Sequence, residues 1–220
     1  MWIYYAFVAA LVIIVTLLIR NEIAGNLRRM YLYKPLATLI VILIAGVSLL
    51  KPESTHLSYK SGIIAGLIFS LAGDIALMFK SARAFRYGMI FFLIAHIIYS
   101  VTFTAHSGFV TSDWISGLVL FLLAIVIYVY LYSGLRNMKW PVLFYVLIIS
   151  FMTHRAISTF SGAYFALAQA WLIGVGAILF YLSDLILAIN KFKRPLKYNR
   201  LSLAFYYAGQ LLIALSTGLF

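Results

Sequence analysis

Long apolar runs, separated by short polar and basic stretches, make up most of the chain. A helix that crosses a bilayer needs about 20 predominantly apolar residues. Eight runs come near that length, and they cover residues 2–19, 34–50, 61–79, 86–105, 113–132, 139–153, 162–190 and 201–219. The sixth run is short and the seventh is long. The pattern therefore predicts an all-α fold, a polytopic membrane helix bundle with eight transmembrane helices.

The composition leaves little room for any other kind of domain. Of the 220 residues, 65% are hydrophobic and 10% are charged, and the mean hydropathy is +1.06. A soluble domain of this length would need more polar residues to cover its surface. We therefore expect residues 1–220 to form a single integral membrane domain. The first run follows no basic residue and reaches Arg20 without a small-residue cleavage site, so we do not expect a cleaved signal peptide.

The basic residues predict an orientation in the membrane. Fourteen of the 17 Lys and Arg residues flank the loops after runs 1, 3, 5 and 7, whereas Lys51, Lys60 and Arg155 fall on the other side. The positive-inside rule makes the rich side cytoplasmic, so both termini are predicted to be non-cytoplasmic. These loops and their contacts with lipid headgroups account for the net charge of +12. We therefore expect no nucleic-acid partner.

A weak internal repeat is visible at half the chain length. The segment GLIFSLAGDIAL (66–77) aligns with GAILFYLSDLIL (176–187) at an offset of 110 residues, and Pro35 and Pro141 each open an apolar run. These matches favour a parallel repeat of four plus four helices, in which the third and seventh helices are equivalent. Apolar helices resemble one another easily, so the repeat is a hypothesis.

Two of the five acidic residues, Asp74 and Asp184, fall inside apolar runs. A carboxylate at the centre of a transmembrane helix costs about 2.5–3.5 kcal/mol on insertion scales. Asp74 precedes Lys80 by six residues and Asp184 precedes Lys191 by seven, which predicts that both lie about 10 Å from the cytoplasmic end. If the two carboxyl groups share one cavity, one of them is protonated and the other is ionised near neutral pH. Acid/base hydrolysis requires this difference. The alternative is a structural role for each Asp as a buried hydrogen-bonding hub.

Polar residues in other runs are candidates to line the same cavity. His96 and Tyr99 lie one turn apart in LIAHIIYS, and Tyr207 and Gln210 lie in FYYAGQLL. Single polar residues in membrane bundles commonly hydrogen-bond between helices, and this structural interpretation stays open for each of them.

Further residues define which chemistry is available. Ser183, directly before Asp184, is small enough to allow a close helix contact. Lys34 is a candidate to contact a phosphate, or is an ordinary cytoplasmic flank. The chain has no cysteine, and its four histidines show no metal-binding spacing. We therefore expect no metal and no other cofactor.

Six segments, in order along nearly the whole chain, resemble those of the YhhN family of multi-pass membrane proteins, which includes the lysoplasmalogenases. They are YKPLATLIVIL, GLIFSLAGDIALMF, GMIFFLIAHIIYS, PVLFYVLIISFM, GAILFYLSDLILAINKF and YYAGQLLIALS. Any one segment is weak evidence, but the ordered set with two Asp motifs is specific to the family. One departure is Gly209 before Gln210, where Ala is the more usual residue.

The resemblance implies a membrane hydrolase that cleaves the vinyl ether bond of lysoplasmalogens to a fatty aldehyde and a glycerophospho-alcohol without a metal. It implies that Asp74 and Asp184 are the catalytic acid/base pair, in either order. The partners would be a lysophospholipid, water and the bilayer, and the expected location is a bacterial inner (plasma) membrane. The candidate substrate-binding residues are Lys34, His96, Tyr99, Ser183, Asn190, Tyr207 and Gln210.

Other functions remain open from the sequence. Paired intramembrane Asp residues also carry protons in transporters, and the same pair could serve a lipid-binding protein. An intramembrane aspartyl protease fits less well, because the two acids are 110 residues apart. Protonation of a vinyl ether carbon gives an oxocarbenium ion, which a second carboxylate can stabilise, as in glycosidases. This chemistry favours the hydrolase.

Overall fold

The computed structural model of the chain describes residues 2–50, 56–109, 111, 113–197 and 199–219. These residues form an all-α fold with short turns between the helices. The α-helices are α1 (Trp2–Ile23), α2 (Leu27–Val47), α3 (Leu57–Met78), α4 (Ala82–Ser107), α5 (Asp113–Leu131), α6 (Lys139–Ser158), α7 (Leu167–Phe192) and α8 (Leu201–Ser216). Short 3-10 turns cover Ser48–Leu50, Tyr132–Gly134, Arg136–Met138 and Thr217–Leu219. The predicted all-α class and the order of the apolar segments are confirmed.

Seven of these helices are long and apolar enough to cross a membrane. The eighth, α8, is a shorter apolar helix of 16 residues and is about 24 Å long. The described chain is therefore a multi-pass membrane bundle of seven to eight spans. The four-plus-four repeat and the non-cytoplasmic placement of the termini stay predictions.

Three helix boundaries differ from those predicted by five residues or more. α2 begins at Leu27, where the Asn26 side chain accepts a hydrogen bond from the Arg29 N–H, so Pro35 lies inside the helix and does not open it. α6 continues to Ser158, beyond the predicted end at residue 153. α7 begins at Leu167 and not at residue 162, because residues 162–166 form turns. Apolar runs mark the lipid-spanning part of a helix and miss its polar ends.

Six of the helices form a ring. In the series α2, α3, α4, α6, α7 and α8, each helix packs against the next one. The ring closes because α8 packs against α2. α1 lies outside this ring against α2 and α8, and α5 lies outside it against α6 and α7. Both carboxylates that the sequence singles out belong to ring helices, Asp74 to α3 and Asp184 to α7.

Glycines permit close packing on both sides of the ring. On α3, a Cβ added at Gly66 would collide with the ring of Tyr99 from α4, and one added at Gly73 would come within 2.7 Å of Phe92. On the other side, a Cβ at Gly209 of α8 would lie 2.6 Å from the carbonyl oxygen of Gly176 on α7. Each carboxylate-bearing helix is therefore in close contact with the next helix along the chain.

The turns after α1, α3, α5 and α7 lie at one end of the bundle, which we call the basic end. Lys193 after α7 donates a hydrogen bond to Ser133 after α5 at 2.8 Å. At the opposite end Arg155 is fully buried and its guanidinium donates to Asp113 at 3.0 Å. This ion pair explains why α6 continues past His154: the charged residue there packs inside the bundle and does not end the helix.

Candidate active site

The carboxylate of Asp74 on α3 is held by side chains from α2 and α8. Its Oδ2 accepts hydrogen bonds from the hydroxyls of Thr38 and Tyr206, both at 2.6 Å. The Nζ atom of Lys34 lies 3.3 Å from Oδ1, and Asp74 is only 1% exposed. An ammonium group and two hydroxyl donors together satisfy a buried carboxylate in its ionised form.

The carboxylate of Asp184 on α7 has different neighbours. The phenol of Tyr145 on α6 donates a hydrogen bond to Oδ2 at 2.5 Å. The Nε2 atom of His96 on α4 lies 3.9 Å from the same oxygen, beyond hydrogen-bonding distance. The imidazole of His96 thus lies beside Asp184 as the ammonium group of Lys34 lies beside Asp74. The Asp184 side chain is 12% exposed, because it borders a pocket.

A line of aromatic rings joins the two carboxylates. Tyr206, which is bonded to Asp74, packs edge-on against Phe180 with ring centroids 5.3 Å apart. Phe180 in turn contacts the ring of His96 at 4.8 Å. The two carboxylates have separate hydrogen-bonding partners, so they do not share a proton directly.

Two adjoining cavities lie on the basic-end side of these residues. The first is an apolar pocket between α4, α6 and α7, bordered by Asp184, Tyr145 and the row of side chains from Tyr181 to Phe192. The second is a cleft lined by Lys34, Lys80, Lys191, Glu22 and Asn190, among others. Leu77, Phe85 and Leu187 line both cavities. The apolar pocket and the cationic cleft therefore lie next to each other.

The remaining predicted site residues fall into two groups. Tyr99 donates to the amide oxygen of Gln210 at 3.1 Å, and Tyr207 donates to the backbone carbonyl of Lys34 at 3.0 Å. These two contacts join α4 to α8 and α8 to α2. The hydroxyl groups of Tyr99 and Tyr207 therefore already donate hydrogen bonds within the protein.

Ser183 and Asn190 are held in local contacts. Ser183 donates to the carbonyl of Ser202 at 2.8 Å, which joins α7 to α8. The side-chain oxygen of Asn190 accepts from the backbone N–H of Leu196 at 3.0 Å and so closes the turn after α7. Asn190 also lines the cationic cleft, whereas Ser183 borders neither cavity.

The predicted site residues did not include three residues that touch the carboxylates, Thr38, Tyr145 and Tyr206. Thr38 lies one turn after Lys34 on the same face of α2, and this spacing was a usable signal. Tyr145 lies in the PVLFYVLIISFM segment. Nothing in the single sequence indicates that its phenol meets Asp184 across 39 positions.

Comparison with known proteins decides the family. The YhhN family pattern matches residues 29–217, which is most of the chain. The chain belongs to the YhhN family. The bovine (Bos taurus) protein called lysoplasmalogenase TMEM86A is 35% identical over 178 residues, covering 78% of this chain and 68% of that protein.

Relatives of lower identity also match over most of this chain. A lysoplasmalogenase homolog of Dictyostelium discoideum is 27% identical over 195 residues, covering 72% of this chain and 63% of that protein. The membrane protein YhhN of Escherichia coli O157:H7 is 26% identical over 202 residues, covering 84% of this chain and 86% of that protein. No solved structure matches the chain. The expected YhhN resemblance is confirmed.

Proposed function

We propose that this YhhN protein is a membrane hydrolase that cleaves the vinyl ether bond of lysoplasmalogens. The observation that carries the proposal is the position of Asp184, a carboxyl group that borders an apolar pocket next to a lysine-lined cleft. The apolar lining of the first cavity and the lysines of the second suit a lipid with one chain and a phosphate head. The names of the bovine and Dictyostelium relatives support the same substrate class.

The proposed substrate lies across the two cavities. Its phosphate lies in the cleft. The cations there are Lys80, in the turn between α3 and α4, and Lys191 on α7, and Lys34 lies at the inner side of the cleft. The glycerol and the vinyl ether reach inward past Leu77 and Phe85 towards Asp184. The hydrocarbon chain occupies the apolar pocket and leaves it towards the bilayer between α5 and α6, where Ile127 and Val146 line the wall.

The two carboxyl groups take different parts in the proposed reaction. Asp184 is the acid, because it borders the pocket and its neighbours are a phenol and an imidazole. Asp74 stays ionised beside Lys34 and is out of reach of the substrate. Its negative charge stabilises the cationic intermediate across the aromatic row, since charges act over longer distances in a low-dielectric interior.

The first chemical step is transfer of the Asp184 proton to the vinyl carbon distal to the ether oxygen. This leaves an oxocarbenium ion at the carbon next to oxygen and a carboxylate at Asp184. Water then attacks that carbon and loses one proton, which gives a hemiacetal. The hemiacetal collapses to a fatty aldehyde and the glycerophospho-alcohol, and the glycerol oxygen takes up the proton that the water lost. The carboxylate regains its proton in the collapse, so no cofactor is consumed.

We also propose that the basic end faces the cytoplasm, as the positive-inside rule requires, and that the substrate enters from the cytoplasmic leaflet. In that orientation the cleft lies at the level of the lipid headgroups. Lys80 and Lys191 then meet the phosphate without leaving the interface.

The test of this function is aldehyde release by the purified protein in lipid nanodiscs. Lysoplasmalogen is the substrate, and the saturated 1-O-alkyl lysolipid, which lacks the vinyl bond, is the matched control. Aldehyde should appear only from the vinyl ether, and Asp184→Asn should abolish it. No aldehyde from the wild type would exclude the hydrolase. In that case, binding of both lipids with equal affinity would identify a lipid-binding protein, and proton-linked flux in vesicles would identify a transporter.

A further inference from the structure

His96 is a fully buried imidazole whose two ring nitrogens make no hydrogen bond to any described residue. Leaving a buried polar group without a partner costs about 1–3 kcal/mol. A phenylalanine would fill similar space without that cost. An unsatisfied buried group in a folded protein therefore needs a reason, and a catalytic role is one of the common ones.

The surroundings of the ring fix its direction. Its faces and edges pack against Tyr145 from α6, with centroids 5.3 Å apart, and against Phe180 from α7 at 4.8 Å. This packing holds Nε2 at 3.9 Å from Oδ2 of Asp184. The separation is too long for a direct hydrogen bond, but one small molecule such as water can bond to both atoms at once.

The corresponding position on the other side of the bundle supports this interpretation. At the offset of 110 residues, Asp74 corresponds to Asp184 and His96 corresponds to Tyr206. Tyr206 bonds directly to Asp74 at 2.6 Å. His96 occupies the matching place beside Asp184 and stops short of contact.

We propose that His96 is the catalytic base of the reaction, which accepts a proton from the attacking water. This inference rests on the proposed function and assigns a role that Asp74 cannot fill, because its carboxylate is already bonded to Lys34, Thr38 and Tyr206. His96 and Asp184 act as a pair, both neutral before the reaction and oppositely charged in the middle of it.

The proton balance closes with these two residues alone. In the first step the Asp184 proton forms a new C–H bond at the distal vinyl carbon, giving a carboxylate and an oxocarbenium ion. Next, water forms a C–O bond to the cationic carbon and loses a proton to Nε2 of His96. The neutral hemiacetal then faces an imidazolium and a carboxylate.

Collapse of the hemiacetal restores both residues. The C–O bond to glycerol breaks, and the glycerol oxygen takes the proton from His96. The hemiacetal hydroxyl gives its proton to Asp184 as the carbonyl group forms. The net change is one vinyl ether and one water converted to one aldehyde and one alcohol.

The experiment compares His96→Phe, His96→Ala and wild type in the nanodisc assay. Loss of a positioned base should lower kcat about 10²–10⁴-fold, while KM changes by less than about threefold. Added imidazole should restore part of the rate in His96→Ala, where it finds space, and none in His96→Phe. His106→Gln, at the opposite end of the bundle, is the control variant and should keep the wild-type rate.

Folding is checked by thermal unfolding and by binding of the saturated alkyl lysolipid, both of which should match wild type in His96→Phe. Wild-type kcat in that variant would overturn the role of His96 and leave the hydrolase intact. A slow His96→Ala that imidazole cannot rescue, with impaired lipid binding, would show a packing role instead. Absence of aldehyde from the wild type would overturn the function and this inference together.

Discussion

The Nζ atom of Lys34 lies 3.3 Å from Oδ1 of Asp74, and the side chains of Lys34 and Asp74 are 13% and 2% exposed. An ion pair removed from water is costly to form and more costly to break, because the remaining partner is then an isolated buried charge. The pair joins α2 to α3 at the point where α8 also contributes Tyr206. It explains how a carboxylate persists in an apolar helix.

The first prediction concerns this ion pair. Lys34→Met should destabilise the protein by about 3–5 kcal/mol, because it leaves the Asp74 carboxylate buried without its cation. The double variant Lys34→Met/Asp74→Asn should recover much of that loss, since no charge is left unpaired. Unfolding in detergent, followed by circular dichroism for both single variants and the double variant, gives the coupling energy. Additive effects would show that the two side chains do not interact.

A second prediction concerns Tyr145. Tyr145→Phe removes the phenol that donates to Asp184 at 2.5 Å and keeps the ring that packs against His96. We expect kcat for lysoplasmalogen to fall about 10-fold or more, because the carboxylate formed after proton transfer loses a hydrogen bond from a positioned donor. Tyr181→Phe, which removes a hydroxyl bonded to Ser150, is the control. Equal losses in the two variants would contradict a specific role for Tyr145.

Phosphate recognition by the cleft is the third prediction. Lys80→Met/Lys191→Met should raise KM for lysoplasmalogen at least 10-fold and leave kcat nearly unchanged, because the lost contacts are made equally to substrate and transition state. Arg83→Met removes one charge from the same end of the bundle at an exposed position outside the cleft. If it raised KM as much as the double variant, general surface charge rather than the cleft would bind the lipid.

The fourth prediction tests the close packing of α3 and α4. Gly66→Ala places a methyl group against the ring of Tyr99, so the helices must separate at a cost of about 1–3 kcal/mol. Gly46→Ala is the matched control, because a Cβ added there meets nothing within 4 Å. The thermal midpoints of the two variants should therefore differ by several degrees. Similar midpoints would show that α3 and α4 tolerate a wider spacing.

Orientation can be tested cleanly because the sequence contains no cysteine. Ser81→Cys at the basic end should react with an impermeant maleimide only when inverted vesicles or permeabilised cells are used. Phe109→Cys at the opposite end should react in intact cells. The reverse pattern would overturn the assignment of the basic end to the cytoplasm, and with it the proposed entry of the substrate from that leaflet.

The sequence alone was sufficient for the membrane class, the helix order and the two carboxylates, because apolar length and buried charge are strong signals in a membrane protein. It was not sufficient for the partners of those carboxylates. Thr38 and Tyr145 are ordinary residues in apolar helices, and only packing brings them to Asp74 and Asp184. The ends of α2 and α6 were also mispredicted, since Arg29 and Arg155 resemble loop residues until their contacts are known.

The two carboxylates are each completed by a distant helix, since Tyr206 of α8 bonds to Asp74 of α3 and His96 of α4 faces Asp184 of α7. This crossing has a consequence for biosynthesis, in which helices enter the membrane in chain order. Asp74 is inserted long before Tyr206, so Lys34 and Thr38 of α2 are the partners that accompany it during synthesis. Neither carboxylate acquires its full set of neighbours until α7 and α8 have been inserted, and a growing chain therefore exposes no finished catalytic centre to the surrounding lipid.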